Sequence, residues 1–175
     1  MTINKDEILF VVDENNHPIE PLKREIVHKK GYWHRTAHVW IVNGKQEILC
    51  QQRSLQKDSS PGKWEPFFGG HLGPHDGYAE TATQELREEL GLRISRSDLK
   101  QYGVFKAPHA HEFIGLFVLQ WECNIENIAF EKEEIDQLRL IDREELEQII
   151  LWDKKPEWNR IGYEEELFSY IKGLK

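Results

Sequence analysis

Three glutamates, Glu85, Glu88 and Glu89, stand three and four residues apart near the middle of the chain. Positions with this spacing are neighbours on one face of an α-helix, so the sequence predicts three adjacent carboxylates. Unpaired like charges of this kind each cost a helix about 0.2–0.5 kcal/mol. A hard divalent cation such as Mg²⁺ would turn that repulsion into binding, because it takes oxygen ligands and usually shares them with substrate phosphates. The spacing therefore predicts a metal site and phosphate chemistry.

A solvated acidic face on a surface helix is the alternative explanation for the same glutamates. The surroundings favour the metal site. The aromatic and glycine residues Phe67-Phe68-Gly69-Gly70 precede the predicted helix, and Gly91 follows it as a C-cap.

The segment from Gly70 to Leu92 resembles the Nudix box. That family pattern is a glycine, five residues, Glu, seven residues, and then Arg-Glu-hydrophobic-any-Glu-Glu-any-Gly-hydrophobic. Gly70 is the glycine, and Glu85 to Leu92 is the closing segment. Two positions differ from the pattern, since Asp76 replaces the first glutamate and Gln84 replaces the arginine.

The resemblance implies an α+β fold, an α/β/α sandwich around a mixed β-sheet, as a single domain over residues 1–175 with its Nudix box at 70–92. It also implies Mg²⁺ or Mn²⁺ as cofactor and a hydrolase that acts on diphosphate linkages. Glu85, Glu88 and Glu89 are then metal ligands, together with a backbone carbonyl of Gly69 or Gly70. One of the glutamates, or a carboxylate elsewhere, is the base, and Glu85 and Glu88 are the candidates inside the box.

The two differences bear on the rate of hydrolysis. An arginine at position 84 would orient the glutamates through charged hydrogen bonds, whereas Gln84 offers neutral ones. Asp76 is one methylene shorter than glutamate and is expected to serve as the N-cap of the helix. Weakened hydrolysis is therefore one of the alternatives.

The stretch from His28 to Leu72 resembles the subgroup that includes metal-dependent isopentenyl-diphosphate isomerase. The isomerase places a cysteine that acts in proton transfer immediately before its Gly-His pair, and this chain has Gly69 there, so the resemblance argues against isomerase activity. The isomerase also uses histidines as metal ligands. By that resemblance His71 is a metal-ligand candidate, with His28 and His34 in comparable places, and Glu112 is a catalytic candidate. A structural or solvent-exposed role is the alternative for each of them.

Basic and aromatic residues around the loops are candidates for binding the substrate. Basic side chains bind phosphates, and aromatic faces stack on bases or other planar groups. Core packing and surface solvation are the alternative roles of these residues. Glu133 and Glu134, in a later acidic loop, are left outside the main set. The substrate-binding candidates are Arg53, Lys57, Arg35, Trp64 and Phe68.

The charge and composition of the chain narrow the class of molecule that it is expected to bind. The chain has 175 residues, with 31 acidic against 23 basic side chains and a net charge of −8. This balance disfavours a nucleic-acid polymer, whose binding domains usually carry basic patches, and leaves a small-molecule diphosphate or nucleotide. The sequence has no apolar run long enough for a membrane span and no secretory signal, so we expect no membrane partner. The chain has two cysteines, Cys50 and Cys123, too few for a disulfide framework, which suggests reduced thiols and a cytoplasmic location. A homodimer is the expected oligomer if the protein associates, because homodimers are the commonest oligomers.

Hydrophobic periodicity places these residues on elements. His34 to Val42, followed by Asn43-Gly44, predicts a strand and a hairpin turn into a second strand at Glu47–Arg53. We predict the acidic helix over 77–90 and two further strands at 99–107 and 113–122. Asp142, with Glu145 three residues later, predicts a helix from a capping box to about Leu151. A terminal helix is predicted over 160–172.

Three functions remain open on the sequence. The first is a metal-dependent hydrolase that cleaves the diphosphate linkage of a nucleoside diphosphate joined to another group. The second is a catalytically weakened domain that binds a nucleotide or diphosphate, which Asp76 and Gln84 keep open. The third is an isomerase-like enzyme, which Gly69 disfavours.

Overall fold

The computed structural model describes residues 7–57, 59–122 and 124–174. Within these ranges no helix is long and apolar enough to cross a membrane. The helices are α1 (Arg24–Lys30), α2 (Tyr78–Leu90), α3 (Arg143–Glu147) and α4 (Glu164–Lys172). The strands are β1 (Ile8–Leu9), β2 (Leu22–Lys23), β3 (His34–Val42), β4 (Glu47–Arg53), β5 (Trp64–Glu65), β6 (Phe68–His71), β7 (Leu99–Ala107), β8 (Glu112–Gln120) and β9 (Ile135–Asp142).

The central strand of the main sheet is β3, which is almost wholly buried because it has partners on both sides. It pairs in parallel with β8 along its whole length and antiparallel with β4 and β6 on its other side. β7 joins β8, while β5 and β9 join β4. One parallel pair among antiparallel ones makes the sheet mixed, as predicted, and the Asn43-Gly44 turn between β3 and β4 is confirmed.

Alternate residues of β3 enter two different cores, because successive side chains of a strand point to opposite faces. Ala37, Val39 and Ile41 pack with the apolar stripe of α2. Trp40 and Val42 pack with α3 and α4 on the other face. A helical layer on each face of the sheet gives the predicted α/β/α sandwich of the α+β class.

Helix α2 ends as predicted and begins one residue later than expected. Gly91 adopts the left-handed conformation (φ 66°) and its N–H bonds to the carbonyl of Arg87. At the other end the N-cap is Gly77, without a side-chain cap. Asp76 therefore stands one position too early, and its carboxylate accepts a hydrogen bond from the N–H of Gly73 at 3.2 Å. The prediction that Asp76 caps the helix is wrong, and Asp76 stabilises the preceding turn instead.

The C-terminal elements differ from the predicted boundaries. Asp142 caps α3 by accepting from the N–H groups of Glu144 and Glu145, as predicted, but the helix continues from Gln148 to Asp153 in the π form. The terminal helix begins at Glu164 and not at residue 160. The carboxylate of Glu164 accepts hydrogen bonds from the N–H groups of Ile161 and Gly162. These bonds hold the two residues in a turn.

Strand β6 lies unusually close to β3 at Gly69. This glycine, opposite His38, has a φ of 151°, and a Cβ built on it would stand 1.8 Å from the carbonyl oxygen of Ala37. The backbone leaves no room for a side chain at this position. A cysteine, which the isomerase resemblance requires here, cannot be placed on this backbone without moving β6 or β3.

We predict that Gly69→Ala lowers the free energy of unfolding by at least about 2 kcal/mol, because it adds both an unfavourable φ and a steric overlap. Gly103→Ala in β7 is the matched control, since a Cβ there meets no atom within 4 Å. That control should change stability by less than about 0.5 kcal/mol. Urea denaturation of both variants tests this, and equal effects would contradict the account of Gly69.

Candidate metal and diphosphate site

The predicted acidic helix lies directly against the glycine strand. Helix α2 packs on β6, and a Cβ built on Gly70 would come within 2.2 Å of Oε1 of Glu85. A side chain at position 70 would therefore require the end of the Glu85 side chain to move. The structure therefore brings together Gly70 and Glu85, two of the predicted metal ligands.

Glu89 is the most deeply buried of the three glutamates. It is 8% exposed, and its Oε2 atom has no hydrogen-bond partner. Burial, followed by the negative charges of Glu85 and Glu134, raises the pKa of Glu89 well above its ordinary value. Burial and the charge of Glu88 likewise raise the pKa of Glu85 to about 7. A buried carboxylate without a partner is costly to ionise, and that cost is relieved either by protonation or by a nearby cation.

Glu88 is exposed and is oriented by the residue that replaces the family arginine. Nε2 of Gln84 donates to Oε1 of Glu88 at 2.9 Å. The hydrogen bond keeps the carboxylate in place one helical turn away, but it brings no positive charge. Gln84 thus retains the positioning part of the role expected of an arginine and lacks the electrostatic part.

Glu134 belongs to the same acidic cluster, although sequence reasoning left it outside the main set. Its negative charge contributes to the raised pKa values of both Glu85 and Glu89. Its loop is fixed at two points, because the N–H of Glu131 bonds to the carbonyl of Glu89 and the N–H of Ser54 bonds to the carbonyl of Glu134. The acidic run at 131–134 was a signal for it in the sequence.

Two of the predicted substrate-binding cations lie at the edge of this cluster. Lys57 forms an ion pair with Glu134. Arg53 donates from Nη1 to Glu65 at 3.2 Å and from Nε to the carbonyl of Ser59 at 3.0 Å. Glu65 is buried, and burial raises its pKa despite the neighbouring Arg53. Both cations are therefore held beside the carboxylates by ion pairs within the protein.

The other three predicted substrate contacts have different partners. The guanidinium of Arg35 stacks over the Phe10 ring at 4.4 Å, and its Nε donates to Asn16. Trp64 is 7% exposed and stacks on Trp158. Phe68 is fully buried in the core beneath α2. These contacts give all three residues a structural role.

Three histidines form a second cluster on the other face of β6. Atoms of His28, His34 and His71 that could bind a metal all lie within 4.8 Å of one another. Nε2 of His28 and Nε2 of His71 are 3.1 Å apart. Nε2 of His34 is buried without a hydrogen bond and lies 3.5 Å from Oε1 of Glu112, while its Nδ1 bonds to the carbonyl of Tyr32. The structure thus brings His71 and Glu112 together with the two other histidines.

The electrostatics of this second cluster keep the imidazoles of His28 and His71 neutral. Burial, then the charges of Arg24 and His34, lower the pKa of His71 well below its ordinary value. Burial and His34 also lower the pKa of His28. Burial alone would raise the pKa of Glu112, but the close contact with the His34 imidazole and the attraction of His38 and His34 outweigh it and lower the pKa. Neutral imidazole nitrogens beside an ionised carboxylate are the protonation states that metal ligation requires.

Comparisons with known proteins agree with the fold and with the box. A family model described as the NUDIX domain matches residues 32–160. An uncharacterized Nudix hydrolase of Clostridium acetobutylicum is 30% identical over 155 residues, which cover 83% of this chain and 75% of that relative. An isopentenyl-diphosphate Delta-isomerase of Pectobacterium atrosepticum is 36% identical over 87 residues, or 50% of this chain and 49% of the isomerase.

The solved structure of a protein from Deinococcus radiodurans has the same fold. It superposes with a TM-score of 0.75 at 20% identity, covering 94% of this chain and 99% of the other. The family match and the relatives together support a Nudix pyrophosphohydrolase, an enzyme of the general class that cleaves diphosphate linkages. This chain belongs to the Nudix family.

Proposed function

We propose that this enzyme uses Mg²⁺ or Mn²⁺ to hydrolyse the diphosphate linkage of a nucleoside diphosphate joined to another group. The observation that carries the proposal is Glu89, a buried carboxylate with an unpartnered oxygen between two further acids, Glu85 and Glu134. Such a cluster without a cation opposes its own ionisation. A set of oxygen donors is what a hard divalent cation prefers.

The residues that would hold the metal are Glu85, Glu88, Glu89 and Glu134, with the backbone of Gly70 beside them. A divalent cation held there would neutralise phosphate charge and lower the pKa of a bound water. Glu88 is the exposed carboxylate of the set, fixed by Gln84, and we assign to it acceptance of the proton from the attacking water. Its exposure lets that proton pass on to solvent.

Lys57 and Arg53 would bind the phosphates. Lys57 is paired with Glu134 in the present structure, so a diphosphate competes with that carboxylate for the ammonium group. Arg53 is held in place by Glu65 and keeps a fixed guanidinium near the end of β4. A phosphate bound by these two cations would lie beside the acidic cluster, on the face of the sheet that carries α2.

We propose a second metal site at His28, His34, His71 and Glu112. The donor set of three imidazoles and one carboxylate suits a transition metal such as Zn²⁺ better than Mg²⁺. His71 follows Gly70 on β6, so one strand would support both sites. The isomerase alternative gains ligands from this cluster, but it lacks a thiol, because Gly69 leaves no room for a side chain.

The remaining parts of the proposal concern the context of the enzyme. The two cores share one sheet, which supports a single-domain organisation. The net charge of −8 supports a small-molecule substrate over a nucleic-acid polymer. Cys50 is a buried free thiol and supports a cytoplasmic location, whereas Cys123 lies outside the described residues. A homodimer is the oligomer that we propose on symmetry grounds.

The metal-free protein should lose stability as the pH rises. Glu85 has an ordinary pKa of 4.5 and a folded-state pKa of about 7, so the folded state binds more protons between these values. Its contribution is present below pH 4.5 and is lost as the pH rises through about 7. We expect Tm without metal to be lower at pH 8 than at pH 5, and Mg²⁺ to restore it at pH 8.

The control for this measurement is Glu89→Gln, which removes one buried negative charge. Its metal-free Tm should decline less between pH 5 and pH 8, and it should gain little from Mg²⁺. Differential scanning calorimetry of both proteins tests the prediction. A wild-type Tm that declines no more steeply than that of the variant would contradict the assignment of buried repulsion to this cluster.

Glu89→Gln should also lower kcat/KM by at least about 100-fold, because it removes a charged ligand from the proposed metal site. Glu166→Gln, an exposed glutamate on α4, is the matched control and should retain wild-type activity. The assay is chromatographic detection of the cleavage products, with and without Mg²⁺, from nucleotide sugars, dinucleoside polyphosphates, NADH and prenyl diphosphates. No turnover of any of them, together with a Tm unchanged by metal, would contradict the hydrolase and favour a weakened binding domain.

Gln84→Arg should leave kcat/KM equal to wild type or raise it, since an arginine can make a charge-assisted hydrogen bond to Glu88. Gln84→Leu removes the donor and should lower kcat/KM by about two- to tenfold. Both are measured with whichever substrate of the panel is turned over. Loss of activity in Gln84→Arg would show that the account of this position is wrong.

A further inference from the structure

Glu65 is a buried carboxylate whose two oxygens hold two different parts of the chain. It lies on β5 and is 4% exposed. Its Oε2 accepts a hydrogen bond from Nη1 of Arg53 at 3.2 Å, and its Oε1 accepts one from Nδ2 of Asn159 at 2.5 Å. Glu65 thus connects a proposed phosphate ligand with the C-terminal segment.

The pairing of β5 with β4 places Glu65 on the face of the sheet that carries α2. Gln51 of β4 is the antiparallel partner of Glu65, so the two side chains lie on the same face. Leu49, two residues before Gln51, packs in the core beneath α2, and residues two apart on a strand share a face. Glu65 is therefore on the same side of the sheet as the acidic cluster.

Asn159 belongs to a segment that is fixed to β5 by backbone hydrogen bonds. The N–H of Trp64 bonds to the carbonyl of Glu157 at 2.8 Å, and the N–H of Asn159 bonds to the carbonyl of Trp64 at 2.9 Å. The rings of Trp64 and Trp158 also stack, with centroids 5.8 Å apart. Because the segment is held in these ways, its amide gives the carboxylate of Glu65 a fixed partner.

The guanidinium of Arg53 is held on two sides. Glu65 accepts from Nη1, while the carbonyl oxygen and the hydroxyl of Ser59 accept from Nε at 3.0 Å and from Nη2 at 3.2 Å. A guanidinium has five N–H groups, so one N–H on each terminal nitrogen is left without an acceptor among the described residues. The Arg53 side chain is 18% exposed, and such a pair of N–H groups can bind two oxygens of one phosphate.

We propose that Glu65 is a positioning residue for diphosphate binding, which sets the plane of the Arg53 guanidinium together with Ser59. The inference rests on the proposed diphosphate hydrolysis and adds to it how the phosphate is held. Arginine binds a phosphate through two parallel hydrogen bonds, which depend on the orientation of its plane, whereas lysine acts as a point charge. Glu65 acts through Arg53 and does not itself contact the substrate.

Charge and orientation predict opposite effects of removing Glu65. A carboxylate near the phosphate site repels an anion, so its loss would tighten binding if charge alone mattered. If Glu65 orients Arg53, its loss weakens binding even though a negative charge has been removed. The conservative variant Glu65→Gln separates the two, because it removes the charge and keeps an oxygen for Arg53. The amide of Asn159 can then turn its oxygen toward the new NH₂ group.

The test is calorimetric titration with inorganic pyrophosphate in the presence of Mg²⁺. Glu65→Ala should raise the Kd about tenfold, and Glu65→Gln should stay within about threefold of wild type. Glu147→Ala is the matched control, since it removes an ion-pair partner from another buried arginine, Arg143, at 2.8 Å. That control should leave the Kd unchanged. Ser59→Ala, at an exposed position where folding is not at risk, should raise the Kd about threefold.

A double variant shows whether Glu65 acts through Arg53. Arg53→Ala should weaken pyrophosphate binding, and adding Glu65→Ala to it should cause no further loss. With a substrate that is turned over, Glu65→Ala should raise KM about tenfold and change kcat by less than about threefold.

The inference is overturned by unchanged or tighter binding in Glu65→Ala, by equal losses in Glu65→Ala and Glu65→Gln, or by additive losses in the double variant. It is also overturned if wild-type protein does not bind pyrophosphate. Failure of the proposed hydrolysis is recognised separately, as absence of cleavage products from every substrate while pyrophosphate still binds.

Discussion

The close approach of β6 to both β3 and α2 is the constraint on which the rest of the site depends. Gly69 lies against the carbonyl of Ala37, and Gly70 lies against the carboxylate of Glu85. These contacts draw the acidic helix under the sheet and bury Glu89 with it. A side chain at position 69 would overlap the backbone of β3, whereas one at position 70 would displace the end of the Glu85 side chain. We propose that metal binding makes this packing compatible with ionised glutamates.

Successive side chains of a β-strand point to opposite faces, and this alternation places the acidic cluster and the histidine cluster on opposite sides of β6. Gly70 and His71 are consecutive residues of β6, so they face opposite sides of the sheet. Gly70 meets Glu85, while His71 meets His28 and His34. The same alternation on β3 puts Ala37 over α2 and His38 beneath the C-terminal helices. One short strand thus separates a cluster of carboxylates from a cluster of imidazoles.

Local patterns in the sequence were sufficient for several strands and the acidic helix, whereas the mixed sheet between two helical layers was predicted from the family resemblance. The Asn43-Gly44 turn, the Gly91 C-cap and the spacing of Glu85, Glu88 and Glu89 each have a short-range physical cause. The sequence could not show that Glu134, about 45 residues beyond the box, returns to it, because this depends on the hydrogen bonds of the 131–134 loop. It also could not show that Arg35 and Phe68 have structural partners, since burial and stacking arise from tertiary packing.

The most direct test is to locate the metal. Crystals grown with MnCl₂ would be measured above the manganese absorption edge, and an anomalous difference map would show each bound ion. The account predicts a peak in contact with the carboxylates of Glu85 and Glu89, with the histidine cluster as a separate position. Manganese at the histidines alone, with Glu89 still unpartnered at neutral pH, would contradict it.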